Sequence, residues 1–174
     1  SHFSHKNSLS FTKQDGSRLR PFDSMEEMNE VMIQRWNGVV NDEDIVLHLG
    51  DVIFAQTGFE CLPRLKGRKQ LIMGNHERHG IHRYIEHFEW IHAYAEKGDF
   101  IISHIPVHSS QIGRWIGNIH GHTHSNSVLL DNGEVDVRYF CVSVEQTNFT
   151  PILFDDVVNE FRKRGIKKEK NNGS

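Results

Sequence analysis

The 174-residue chain has two cysteines, four prolines and no apolar run approaching the roughly 18 residues that cross a bilayer. Each shortage removes a class of protein. Cys61 and Cys141 have no CxxC partner and are too few for a disulfide framework, which points to a reducing compartment and a cytoplasmic location. With so little proline, and with no repeat or low-complexity block, nothing divides the chain into separate domains. No charged-then-apolar leader opens it, so neither a membrane span nor a secretion signal is expected. Basic charge is also short: 20 Lys and Arg stand against 23 Asp and Glu, and six of the 20 lie in residues 162–174 beside Glu169 alone. Residues 1–161 therefore hold 14 basic and 22 acidic side chains, a balance of −8. Such a body has no electrostatic reason to bind long nucleic acid, whose affinity comes from neutralised phosphates. The expected organisation is one domain over residues 1–161 and a basic, flexible C-terminal tail over 162–174.

Histidine, by contrast, is abundant. The chain has 13, and all but His48 are grouped at positions 2 and 5, 76 to 92, 104 to 108 and 120 to 124. Such clustering is the first sign of a metal site.

The elements around these clusters alternate. Ser24-Met25-Glu26-Glu27 fits a Ser-x-x-Glu capping box, and Met25, Met28, Met32 and Trp36 follow at helical spacing up to Gly38, so a helix is expected over 24–37. Short apolar runs then end in polar turns: Ile45 to Leu49 before Gly50-Asp51, Gln70 to Met73 before Gly74-Asn75-His76, Phe100 to Ser103 before His104, and Trp115 to Ile119 before His120-Gly121-His122. Runs of this length suit buried strands. Ile81, Tyr84, Ile85 and Phe88 predict a helix between the second and third of them. Asp131-Asn132-Gly133 predicts an antiparallel hairpin between 127–130 and 134–142. The whole reads as a layered α/β domain with a mixed sheet, its polar residues placed beyond the carboxyl ends of the strands, where sites in α/β sheets are built.

Hydrolysis of a phosphoester at neutral pH needs a hydroxide, neutralised phosphate oxygens and a proton for the leaving group, and two divalent metals supply the first two. A metal pair wants a bridging carboxylate, neutral imidazoles that leave positive charge for the phosphate, and open positions for water. Asp51, Asn75, His104, His122 and His124 make that kind of set, with His2 as a sixth member. Each fragment alone is weak, since Gly-Asp after a strand is usually a turn. The ordered combination is specific: Gly50-Asp51, Gly74-Asn75-His76-Glu77 24 residues on, Ser103-His104, and Gly121-His122-Thr123-His124.

With these motifs, and with Ser1-His2-Phe3-Ser4-His5-Lys6-Asn7, Leu65 to Lys69, Ile102 to Pro106 and Val142-Ser143-Val144-Glu145, the chain resembles the calcineurin-like metallophosphoesterases, closest to small bacterial and phage-type members, over roughly residues 1–158. The resemblance implies a four-layer αββα sandwich with mixed sheets and two divalent metal ions. It would place His2, Asp51 and His124 on one ion and Asp51, Asn75, His104 and His122 on the other, with Asp51 bridging. His76 resembles the family's non-ligand His, which stabilises the transition state or protonates the leaving oxygen. Mn²⁺ is the first expectation, and the same ligand types accept Fe²⁺, Zn²⁺ or Ni²⁺. The family's first motif, Asp-x-His-Phe-x-His, is matched without its Asp, which would stand immediately before Ser1; a shortened chain or a natural start after loss of an initiator Met accounts for this, and weaker binding of the first metal is expected.

The expected function is hydrolysis of a phosphomonoester or phosphodiester on a small phosphorylated substrate such as a nucleotide, with no membrane partner. Two alternatives are a metal-poor scaffold of the same fold that binds a protein partner, and a nuclease. His5, His108, Lys6 and Arg114 are candidate phosphate contacts, whereas His48 is expected at the core edge and His79, His82, His87 and His92 on the surface.

Overall fold

In a computed structural model, described here for residues 1–166, parallel strands carry the site-bearing loops to one edge. Helix α1 (Met25–Val39) begins as its capping box dictates: Ser24 Oγ accepts from Glu27 N at 3.0 Å, while Glu27 reaches back to Asp23 N at 2.7 Å. Met28, Met32 and Trp36 are buried in one apolar cluster that also holds Val46, Val52 and Leu71. Full burial of such side chains is worth roughly 1.5–3 kcal/mol each, which is what holds the helix on the sheet.

Strands β1 (Ile45–His48), β2 (Arg68–Ile72) and β3 (Ile91–His92) form a parallel sheet in that order, with Ile45 opposite Arg68. A second sheet has β4 (Tyr94–Lys97), β5 (Phe100–Ser103), β6 (Gly117–His120) and β7 (Tyr139–Cys141), where β4 runs antiparallel to β5 and the other pairs are parallel. The fold is thus mixed α/β with one parallel and one mixed sheet. Helix α3 (Phe154–Lys163) buries Val157 and Phe161 against Phe100 and Ile119 in a cluster that also includes Ile72. Gly117 leaves room for this packing, because a Cβ there would run into the Phe161 ring and the Arg138 carbonyl. A cavity of about 750 Å³ lies between the sheets, walled by Leu47, Ile102 and Ile119 and reaching Asp51 and His104.

Three expectations are corrected. The helix around residues 81–88 is a single short turn, α2 (Ile81–Ile85); Ile81 and Ile85 are exposed, and only Tyr84 and Phe88 turn into the core. The Asn132-Gly133 turn closes a single antiparallel bridge, Leu129 to Val135, after which the chain leaves the hairpin and Tyr139–Cys141 pairs parallel with β6. Helix α3 runs on past residue 161 through Arg162 and Lys163. Beyond it, Arg164 donates to the Val137 and Tyr139 carbonyls and lies over Phe140 and Phe161, so this part of the basic segment is packed; residues 167–174 of that segment lie outside the described residues. Finally, β3 and β4 lie where no strand was expected. No helix among the described residues is long and apolar enough to cross a membrane.

Candidate metal centre

The first residues run alongside the loop after β1. His2 N donates to the Asp51 carbonyl at 2.7 Å, Phe3 N to Val52 at 2.8 Å, and Phe54 N to Phe3 at 3.0 Å. This ladder sets the His2 ring against the Asp51 carboxylate, with Nε2 3.2 Å from Oδ2. The same oxygen lies 3.3 Å from His104 Nε2. His104 Nε2 is also 2.9 Å from Asn75 Oδ1 and 3.2 Å from His122 Nδ1. Four side chains from the loops after β1, β2, β5 and β6 therefore point donor atoms at one small volume. Asp51, His104 and His122 offer ligand atoms all within 4.8 Å of one another.

The tautomers fit a cation. His104 Nδ1 lies 2.6 Å from the Leu49 carbonyl, which can only accept, so Nδ1 carries the hydrogen and Nε2 keeps its lone pair in the neutral ring. Without a cation, His122 Nδ1 can donate a hydrogen to that lone pair at 3.2 Å, and a bound cation would take that hydrogen's place. His2 adds a buried Nδ1 with no hydrogen-bond partner among the described residues.

The backbone bends to make this set. His2, Asp51, His122 and His124 all adopt left-handed φ values, 58°, 52°, 64° and 52°. They are four of the seven non-glycine residues that do so among the described residues, and such conformations cost free energy that surrounding structure must offset. Gly50, at φ 80°, is needed for close approach: a Cβ there would sit 2.6 Å from Gly74 N and from His104 Nδ1. Glu77 ties the two loops together by accepting from Val52 N and Gly74 N.

Electrostatics follow from this packing. Burial would raise the Asp51 carboxyl, but hydrogen bonds from His104 and His2 outweigh it and hold it far below the usual carboxylate range. For His104, burial acts downward, yet the bonds to Asp51 and to the Leu49 carbonyl raise the imidazole above its ordinary value. His2 is pushed down to about 3, mainly by burial, and His122 is lowered by burial and by the neighbouring His104.

All six residues expected as ligands stand at this edge. His124 is set further from the Asp51 group; its ring centroid is 5.2 Å from that of His2, and its Nδ1 is 3.0 Å from Glu145 Oε1. His76 is half-buried in the loop after β2. Its backbone N donates to Asp51 Oδ1 at 2.9 Å, and its ring lies 5.5 Å from His2. It caps no helix, since α2 begins at Ile81 behind Gly80.

Among the secondary candidates, His5 is buried between Phe54, stacked at 3.5 Å, and His2. His108 bonds Ser110 at the start of the 3-10 turn Ser109–Gln111, and Arg114 pairs with Glu96 at 2.7 Å. His48 satisfies one nitrogen with Ser1 Oγ at 2.7 Å, while its buried Nδ1 has no partner among the described residues. His79 bonds the Phe54 carbonyl. Sequence reasoning gave no role to Leu49, Glu77, Arg20 or Glu145. Glu77 and Glu145 lie inside the quoted motifs, but a main-chain carbonyl and a distant Arg leave no sequence signal.

No family model matches the chain. A solved structure, the protein of unknown function AQ665 from Aquifex aeolicus, superposes with a TM-score of 0.65 over 91% of this chain and 94% of that one; at 23% identity this shows the fold alone. The uncharacterized protein MJ1445 of Methanocaldococcus jannaschii is 34% identical over 172 residues, spanning 93% of this chain and 88% of that protein. At that identity and coverage the chain belongs to the same family as MJ1445.

Proposed function

We propose that the chain is a metal-dependent phosphoesterase that hydrolyses a small phosphomonoester or phosphodiester at a binuclear divalent centre, on an αββα sandwich. The observation that carries this is the single carboxylate oxygen, Asp51 Oδ2, set 3.2 Å from His2 Nε2 and 3.3 Å from His104 Nε2. One oxygen shared by two imidazole nitrogens is the kind of contact a bridging ligand needs. His2, Asp51 and His124 would hold one ion, and Asp51, Asn75, His104 and His122 the other. With Mn²⁺ or a similar ion bound, the pair supplies Lewis acidity toward the phosphate oxygens and lowers the pKa of water. The chain's own part is to aim the ligands through strained turns and to keep a mostly neutral imidazole set around one carboxylate. His76, half-buried beside His2 and free of the ligand set, is placed to stabilise charge or to hand a proton to the leaving oxygen.

The test is metal content by mass spectrometry with hydrolysis of p-nitrophenyl phosphate and bis-p-nitrophenyl phosphate, with Mn²⁺ and after chelation. The expected result is close to two ions per chain and turnover that vanishes on chelation and returns with Mn²⁺. No retained ion and no turnover with Mn²⁺, Fe²⁺, Zn²⁺ or Ni²⁺ would overturn it and favour a scaffold.

A further inference from the structure

Behind His124 lies a buried charge pair that the reaction chemistry above does not use. Glu145, in the loop after β7, has a side chain 1% exposed, and Arg20, in the loop before α1, is fully buried. Arg20 Nε donates to Glu145 Oε1 at 2.8 Å, and Nη2 lies 2.8 Å from the same oxygen. The pair does not end there. Glu145 Oε1 also accepts from His124 Nδ1 at 3.0 Å, and Arg20 Nη1 donates to the Ser1 carbonyl at 2.8 Å, one peptide unit before His2. Two proposed ligands far apart in the sequence, His2 and His124, are thus braced by one ion pair.

Stability alone does not account for it. Burying two charges is costly, and well-packed apolar residues in their place are often as stable or more so. Here the second carboxylate oxygen, Glu145 Oε2, is buried with no hydrogen-bond partner among the described residues, which adds to that cost. What an apolar pair could not do is accept a hydrogen from an imidazole. An ionised carboxylate only accepts, so the contact puts the hydrogen on His124 Nδ1 and leaves Nε2 as the nitrogen with a lone pair. His124 sits at φ 52°, in a turn that by itself leaves the ring free to rotate about its side-chain bonds.

Resting on the phosphoesterase reading above, we propose that Glu145, clamped by Arg20, is a positioning residue that fixes the tautomer and orientation of His124 so that Nε2 is presented to a divalent cation beside His2 and Asp51. Carboxylates placed behind metal-binding imidazoles in this way typically change metal affinity 10- to 100-fold.

The experiment has two readouts. In the metal-free protein, ¹⁵N chemical shifts of the His124 ring report the tautomer directly and need no variant; Nδ1–H is expected, and a dominant Nε2–H form would overturn the proposal whatever the metal does. Calorimetric titration with Mn²⁺ then compares the unaltered chain with Glu145→Gln, which keeps shape and loses charge, and with Glu145→Asp. Glu145→Gln should weaken one of two sites about 10- to 100-fold and leave the other unchanged, with partial rescue in Glu145→Asp. Equal weakening of both sites, or of neither, overturns the positioning role. A chain that keeps the Nδ1–H tautomer but takes up no Mn²⁺ refutes the ligand role together with the metal reading, and the tautomer separates that failure from a failure of the Glu145 contact.

Discussion

Asp51 Oδ2 and His104 Nε2 face each other at 3.3 Å, and the hydrogen bonds they make shift the two groups in opposite senses, the carboxylate far down and the imidazole up. A hydrogen on His104 Nε2 facing this oxygen would stand where a cation would bind. The other ring nitrogen is already committed to Leu49 at 2.6 Å, so the only way to release Nε2 as a ligand is to lose that proton. A divalent ion held there would compete with a proton at Nε2, and the Asp51 charge would favour either one.

Asp51→Asn tests this. The substitution keeps the shape and removes the charge shared by both proposed sites. The expected outcome is loss of metal from both sites, and a fall in turnover of about a thousandfold or more, in a chain that remains folded by circular dichroism. Normal metal content with near-normal turnover would rule out Asp51 as the bridge.

Gly50→Ala probes the same centre through the backbone. At φ 80° a methyl group is strained, and here it would also lie 2.6 Å from Gly74 N and His104 Nδ1. Neither neighbour can yield without parting His104 from Leu49 or the loop after β2 from Asp51. A loss of about 2 kcal/mol or more in urea unfolding is expected, with reduced Mn²⁺ uptake. Unchanged stability and uptake would show that the contact between these loops is looser than the structure has it.

Acid should weaken the metal-free fold through His5. Burial, with Arg20 and neighbouring histidines acting in the same direction, pushes its imidazole down to about 4, and Nδ1 is buried without a partner among the described residues. The folded pKa is below the unfolded one, so between about pH 6.5 and 4 the unfolded chain binds more protons than the fold. Stability from this group is complete above that window and is lost as pH falls through it, by up to about 3 kcal/mol. Urea midpoints in EDTA at pH 7.5, 6, 5 and 4.5 should drop, and the drop should be smaller in His5→Gln. A pH-independent midpoint would refute it.

How much of this was legible in the sequence depends on whether the signal was local. The α1 helix was, because its capping box and its Met28, Met32, Trp36 stripe are short-range features that the structure uses as they stand. The site loops were legible for a similar reason: parallel strands put Asp51, Asn75, His104 and His122 at one edge, and each follows an apolar run directly. The α3 helix carried a readable pattern in Phe154, Val157, Val158 and Phe161, with Asp155 and Asp156 in the first turn, but the basic residues at its end drew the boundary to 161. The Asn132-Gly133 turn misled because a turn fixes only its own closure; the partner of Tyr139–Cys141 is chosen by hydrogen bonds to β6, from Asn118 N to Arg138 O and from Val142 N to His120 O. Arg20 and Glu145, 125 residues apart, could not be paired before the fold was known.

His76 allows catalysis to be separated from ligation. Its ring is near His2 at 5.5 Å, yet its main hold on the centre is through the backbone, where its N donates to Asp51 Oδ1 at 2.9 Å. His76→Ala keeps that backbone bond, so most bound metal should be retained. If the ring protonates the leaving oxygen, turnover should fall on the order of 10²- to 10⁴-fold with an alkyl phosphate, whose alkoxide needs a proton to depart. With a nitrophenyl phosphate, whose leaving group departs unaided, the deficit should shrink. If the ring instead stabilises charge on the phosphate oxygens, both substrates should lose equally while metal content holds. Measuring the two substrates side by side, with metal content for each preparation, decides between the roles. An equal deficit removes the proton-donor role, and loss of metal in His76→Ala would place the ring among the ligands instead.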